Sequence, residues 1–187
     1  MKKIFCLISI VFFASNLWAQ KMGATLGLSQ LSVEAPNGMT SASEGGYQLG
    51  TLFYGSLTES IGSRVGVLYA DRSFSLSTSG PSESKTTVKM SYLQVPLSLT
   101  FNFTEQFGIF AGGQLNLNAG KSCSVSPSAP CTVKGVNAAD VALTLGAVVT
   151  FMDSFGAEIY MDKPLSKITD NATNPSIIGI NLLYLIE

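Results

Sequence analysis

A chain of 187 residues without a single His has few ways to move a proton. The usual general base of Ser and Cys hydrolases, and of acyltransferases built on barrels, is missing, and no acid pair stands beside a nucleophile at a useful spacing. Catalysis is not expected, and no cofactor or metal is called for. Two groups of residues remain that could do more than fill space. The first is Cys123 and Cys131, which close the segment KSCSVSPSAPC. Two thiols with no His or carboxylate cluster beside them make an incomplete metal site, so a disulfide is the stronger reading. On the chain-entropy model such a bridge stabilises by roughly 2.5 kcal/mol, and it pins a segment that has no core of its own. The second group is Glu158 with Arg64 and Arg72, whose partnership depends on the strands that carry them.

The elements that position these residues follow an export signal. Lys2 and Lys3 supply the positive end, Ile4 to Phe13 the apolar stretch, and Leu17-Trp18-Ala19 a cleavage tripeptide before Gln20. Cleavage between Ala19 and Gln20 divides the chain into a leader, 1–19, and a mature domain, 20–187. The rival is a retained anchor helix, for which the apolar run is short. Cys6 leaves with the leader, so an even pair of thiols enters an oxidising compartment. Of the 11 Lys and Arg residues, Lys2 and Lys3 also leave, so nine face 12 acidic residues at a net charge of −3. A nucleic-acid partner is not expected from that balance.

The strands are read from period-two alternation. In YLQVPLSLTFNF, residues 92–103, Leu93, Val95, Leu97, Leu99, Phe101 and Phe103 share one face, and Tyr92, Gln94, Pro96, Ser98, Thr100 and Asn102 share the other. After Thr104-Glu105-Gln106 the pattern resumes, with Phe107, Ile109, Ala111, Leu115 and Leu117 opposite Gly108, Phe110, Gly112, Gln114, Asn116 and Asn118. A soluble lipocalin-like barrel would carry Lys and Glu on its wet face. Here the polar face holds Gly, Ser, Thr, Asn and Gln, suited to an interior, and the apolar face is nearly continuous. Lipid outside and a polar lumen inside explain the pattern. Only 12% of residues are charged, against about 25% in ordinary soluble domains, and no run of about 18 apolar residues follows the leader.

Eight strands are expected near 22–33, 45–57, 64–75, 87–103, 107–119, 138–152, 155–163 and 176–186. Short links (TESIGS, TEQ, DS) alternate with long ones (APNGMTSASE, LSTSGPSESKT, KSCSVSPSAPCTVKG, KPLSKITDNATNP). An all-β, antiparallel, up-and-down transmembrane barrel with short periplasmic turns and longer extracellular loops requires that asymmetry. Phe101, Phe103, Phe107, Phe151 and Phe155 beside the short links, with Tyr184 near the end of the last strand, suit an aromatic belt at the periplasmic boundary. In the seventh predicted strand Glu158 shares parity with Gly156, Tyr160 and Asp162. In the third, Arg64 and Arg72 share parity with Gly66 and Ala70. Those strands face each other across an eight-stranded barrel, so Glu158 is expected to pair with one of the two arginines inside. Pro96, on the lumen face with no N–H to donate, is expected at a bulge or where its partner carbonyl finds another donor.

The export signal, the eight alternating strands, the stretch SYLQVPLSLTF (91–101) and the pattern Gly179-x-x-Leu182-x-Tyr184 together resemble the small outer-membrane β-barrel family of OmpX-like, OmpA-transmembrane-like and PorT-like proteins. The resemblance covers nearly all of the mature chain. It implies insertion into outer-membrane lipid by the barrel-assembly machinery, although the chain closes on Ile186-Glu187 where the family usually ends in an aromatic. An eight-stranded interior is just wide enough for side chains to fill. The expected role is structural or recognition-related: a monomeric stem in the outer membrane displaying loops to a surface ligand. The alternative is a narrow channel for ions or small solutes.

Overall fold

The computed structural model describes residues 19–35, 39–78, 84–126, 131, 137–167 and 173–186. Apart from Ala19, where the first strand begins, the predicted leader lies outside them. The chain forms β1 (Ala19–Glu34), β2 (Met39–Ser43), β3 (Gly45–Ser56), β4 (Ile61–Thr78), β5 (Ser84–Asn102), β6 (Phe107–Ser126), β7 (Ala139–Met152), β8 (Phe155–Pro164) and β9 (Thr173–Ile186). All but β2 pair antiparallel with their neighbours in the chain. The ring of eight closes where β9 meets β1, from Met22↔Ile186 to Glu34↔Thr173.

The short links are built alike. Thr58 and Thr104 begin two of them, and each hydroxyl accepts the N–H of the residue three positions on, Ile61 at 3.0 Å and Phe107 at 3.0 Å. Such side-chain acceptance is what favours Thr at the start of a tight turn. Each turn is also tied to the next hairpin. Asn102 N donates to Ser60 O at 2.8 Å, Thr150 N to Gln106 O at 2.8 Å, and Leu185 N to Ser154 O at 2.7 Å.

Alternation becomes inside and outside, and its sense inverts partway up the barrel. On β5 the outward positions read Phe101, Leu99, Leu97, Val95, Leu93 and then Ser91, Lys89, Thr87, Lys85. The inward positions read Thr100, Ser98, Pro96, Gln94 and then Tyr92, Met90, Val88. β1 changes in the same way, from Leu26 and Leu28 outside to Gln30 and Ser32, and from Thr25 and Ser29 inside to Leu31 and Val33. β4 passes from Val67 and Tyr69 outside to Asp71, and inside reaches Phe74 and Leu76. The change marks the level at which the outer surface leaves lipid for water. From Leu93 to Phe101 the apolar stretch spans about 20 Å, taking about 3.3 Å per residue and a tilt of about 40°, close to the lipid band of known barrels. At the turn end Phe101 meets Phe103 edge to face with ring centroids 5.0 Å apart, Phe103 stacks on Phe107 at 5.6 Å, and Phe155 lies 5.3 Å from Tyr184. At the other boundary Tyr47 and Tyr69 lie 6.3 Å apart.

Three expectations need correction. β2 lies within a segment read as a loop, where it pairs with Phe74–Thr78 of β4. From Ser43↔Phe74 to Tyr47↔Asp71 four steps on one side match three on the other, so β2 and β3 form one line broken by a bulge at Glu44 to Gly46. β4, β5 and β6 run further than expected, to Thr78, from Ser84 and to Ser126, because the inverted pattern above lipid no longer looks like the pattern below. Of the two settings expected for Pro96, the bulge is absent. The β4–β5 ladder passes from Val65↔Leu97 to Leu68↔Gln94 without a change of register, so the proline interrupts pairing locally and leaves the register intact. The register shift on β5 falls instead at Ser91/Tyr92, opposite β6.

Two adjacent residues separate the faces. Leu97 is 65% exposed on the outer surface, and Ser98 is buried inside with no partner for its hydroxyl. In lipid vesicles Leu97→Lys should lower unfolding stability by about 2–4 kcal/mol. Ser98→Ala should be neutral or stabilising, since it removes an unsatisfied buried group. A tolerated lysine at 97 in denaturant titrations would assign that face to water.

A polar network closing the lumen

Eight strands bring β4 and β8 to opposite walls, and their inward charges meet across the interior. Arg64 Nε donates to Glu158 Oε1 at 2.6 Å and Arg64 Nη2 to Oε2 at 2.8 Å. Both residues are almost fully buried. Tyr54 OH on β3 adds a third donor at 2.7 Å, and Asn181 Nδ2 on β9 a fourth at 2.9 Å. The network continues from Asn181, whose Oδ1 accepts from Gln48 Nε2 at 2.8 Å, to Gln48 Oε1, which accepts from Tyr160 OH at 2.8 Å. The Arg64 guanidinium carbon lies 4.5 Å from the centroid of the Phe110 ring on β6. Four strands besides β4, namely β3, β6, β8 and β9, are thus engaged by one carboxylate and its neighbours.

Glycines make room for the two aromatic members. A Cβ at Gly179 would collide with the Tyr160 ring, and one at Gly146 with the Phe110 ring. Each ring therefore occupies the space beside a glycine of the adjacent strand, Tyr160↔Gly179 and Phe110↔Gly146. Gly179 thus has a packing role inside the C-terminal pattern.

Arg72 does not join Glu158. Its Nη2 lies 3.3 Å from Asp162 Oδ2, which also accepts from Gln114 Nε2 at 3.2 Å. Gln94 and Gln114 both donate to Asn116 Oδ1, at 2.8 and 2.9 Å. This second group is the looser one: among the described residues Arg72 Nε, Asp162 Oδ1 and Gln94 Oε1 are buried without partners. Asp162 could have been paired from parity, since it follows Glu158 by four residues on one face. Tyr54, Gln48 and Asn181 gave no such signal, because neutral polar residues on a lumen face look alike.

Apolar residues close both ends of the network. Leu183 and Leu185 lie toward the turns and cluster with Leu52 and Leu68, which stand beside the network on β3 and β4. Leu31, Phe74, Met90, Tyr92 and Ile177 fill the loop side, with Cys123 packed against them. Cys123 and Cys131 are joined in a disulfide, their Cα atoms 5.9 Å apart. Of the cleavage pair, Ala19 and Gln20 stand at the start of β1, on the same end of the barrel as the turns. Among the described residues no group of three or more His, Cys, Asp or Glu could hold a metal ion.

A family model described as outer membrane protein beta-barrel domain matches residues 18–170. No curated protein matches the chain. Among solved structures, the chain is similar to Neisserial surface protein A, with 9% identity over 89% of this chain and 95% of that one and a TM-score of 0.49. Ail, the attachment invasion locus protein of Yersinia pestis, shares 10% identity over 89% of this chain and 98% of its own, with a TM-score of 0.47. A de novo designed transmembrane β-barrel shares 6% over 90% and 97%, with a TM-score of 0.47.

The two charge groups should respond differently to substitution. Glu158→Leu strands a buried guanidinium and should cost about 3–5 kcal/mol in reversible urea unfolding from vesicles. The double variant R64M/E158L should lose less than either single one, because neither charge is left alone. Arg72→Met should cost less than Arg64→Met. Additive losses at 64 and 158 would show that the pair is not coupled.

Proposed function

The chain belongs to the outer membrane protein β-barrel domain family, with its place in the cell outer membrane, and on that premise we propose that it is a closed stem that displays extracellular loops for recognition or for envelope structure. The observation that carries this reading is the Arg64–Glu158 network, which occupies the lumen together with a leucine cluster and, on the loop side, a larger apolar one. A path for ions would have to part a doubly hydrogen-bonded ion pair and displace leucines on one side and aromatics on the other. The inverted alternation above lipid adds support. There β1, β4 and β5 turn apolar residues inward onto a common core, so the loops rise from a firm base. Binding sites held by rigid elements keep their geometry better than sites on loose chain.

Residues 1–19 act in this reading as a leader removed at Ala19-Gln20, and 20–187 as the domain inserted into outer-membrane lipid by the barrel-assembly machinery. It works as a monomer. The Cys123–Cys131 bridge ties Cys131 to Cys123, which packs against the extracellular core, and the surface ligand meets the loops. No catalytic step is assigned to a chain with no His. The alternative from the sequence, a narrow channel, is separated by planar-bilayer recording. Well-inserted protein should give no steady single-channel current. Reproducible ohmic steps that survive further purification would overturn the closed-stem reading.

A further inference from the structure

The turn end of the barrel holds a cavity of about 510 Å³ that the loop-display reading does not use. Its size falls within the range of small-molecule sites. Leu183, Leu185 and Tyr54 form its floor, the first two belonging to the apolar cluster below the charge network. Thr100, Asn102 and Thr150 supply neutral hydrogen-bonding walls. Glu59 and Glu105 stand on its rim, and among the described residues Lys21 is the one basic residue that lines it. The two glutamates occupy matching places in two turns of the same construction, each following a Thr whose hydroxyl is committed to the backbone. Among the described residues neither glutamate enters an ion pair.

The cavity is also preformed. The carbonyl of Ser60 in one turn accepts from Asn102 N, and that of Gln106 in the next accepts from Thr150 N, both at 2.8 Å. Rim and walls are thereby fixed by backbone hydrogen bonds, so a ligand need not order them. We propose that this vestibule is a binding site for a small primary alkylammonium ion. The aliphatic stem lies on Leu183 and Leu185, and the ammonium head lies at the rim near Glu59 and Glu105. Two carboxylates against one lysine favour a cation over an anion, and the apolar floor favours a hydrocarbon stem over a bare ion. Because short turns face the periplasm in barrels of this kind, the amine would come from that side.

The test uses the full chain, refolded in nanodiscs with Leu, Val and Thr methyl groups labelled for NMR, and hexylammonium, hexanol and hexanoate as matched probes. Hexylammonium should shift the methyl signals of Leu183, Leu185 and Thr100 saturably, with a dissociation constant on the order of 1 mM, as befits so small a ligand. The double variant E59Q/E105Q changes only rim residues, and its folding is checked by the same spectrum. It should bind about fivefold or more weakly. Hexanoate should bind worse than hexanol, and hexanol worse than hexylammonium. Absence of saturable shifts, equal binding of hexanoate, or unchanged affinity in the folded double variant would each overturn the proposal. Its failure would leave the closed-stem reading untouched, since that rests on the lumen above the cavity.

Discussion

Hydrocarbon offers a backbone amide nothing to bond, and the architecture answers to that before anything else. Each N–H and C=O within the lipid band must find its partner in an adjacent strand, so the sheet has to close. The β1–β9 seam, running from Met22↔Ile186 to Glu34↔Thr173, removes the two edges that an open sheet would expose. Pro96 marks how little slack remains. Its missing N–H interrupts the β4–β5 ladder between Val65↔Leu97 and Leu68↔Gln94, yet the register resumes unchanged because strands on both sides hold it.

Closure then sets the problem inside. A barrel of eight strands leaves a narrow lumen from which water is largely excluded, and a charge placed there is costly unless it is paired and fully hydrogen-bonded. Glu158 meets that condition with four donors from three residues on three strands. Asp162 meets it only in part. A buried ion pair of this kind is weak evidence for net stability, since apolar residues of similar volume could serve as well. What it does is fix which walls face each other. Arg64 can satisfy Glu158 only when β4 and β8 stand opposite, so the pair ties the register of one half of the ring to the other.

Much of this was legible in the chain because lipid imposes one rule on every strand that crosses it. The faces of β5, β6, β7 and β9 follow from alternation alone: Leu93 to Phe101 point outward and Ser98 and Thr100 inward, as do Val141 to Phe151 and Ile178 to Ile186 on their own outer faces. The meeting of Glu158 with an arginine followed from parity and from counting strands. Beyond the lipid the rule reverses, and there the reading failed. Above the lipid band β4 and β5 bury Phe74, Leu76, Met90 and Val88 and expose Lys89 and Lys85, the pattern of a water-soluble sheet, and the strands run on past the expected ends. β2, Met-Thr-Ser-Ala-Ser, is exposed along nearly its whole length and carries no alternation to detect. The neutral members of the network, Gln48, Tyr54 and Asn181, were hidden for a different reason: which amide meets which carboxylate depends on stagger between strands, and a single chain does not display stagger.

Gel mobility tests most directly that this chain folds with its apolar face against lipid. The full chain is expressed with its own leader, the outer-membrane fraction is collected, and samples are run in SDS heated and unheated. A stable barrel resists SDS until heated, so the account predicts that the protein appears in that fraction and shifts its mobility on boiling. A soluble periplasmic product of unchanged mobility would contradict it, and would turn the search to a ligand held inside a lipocalin-like cup.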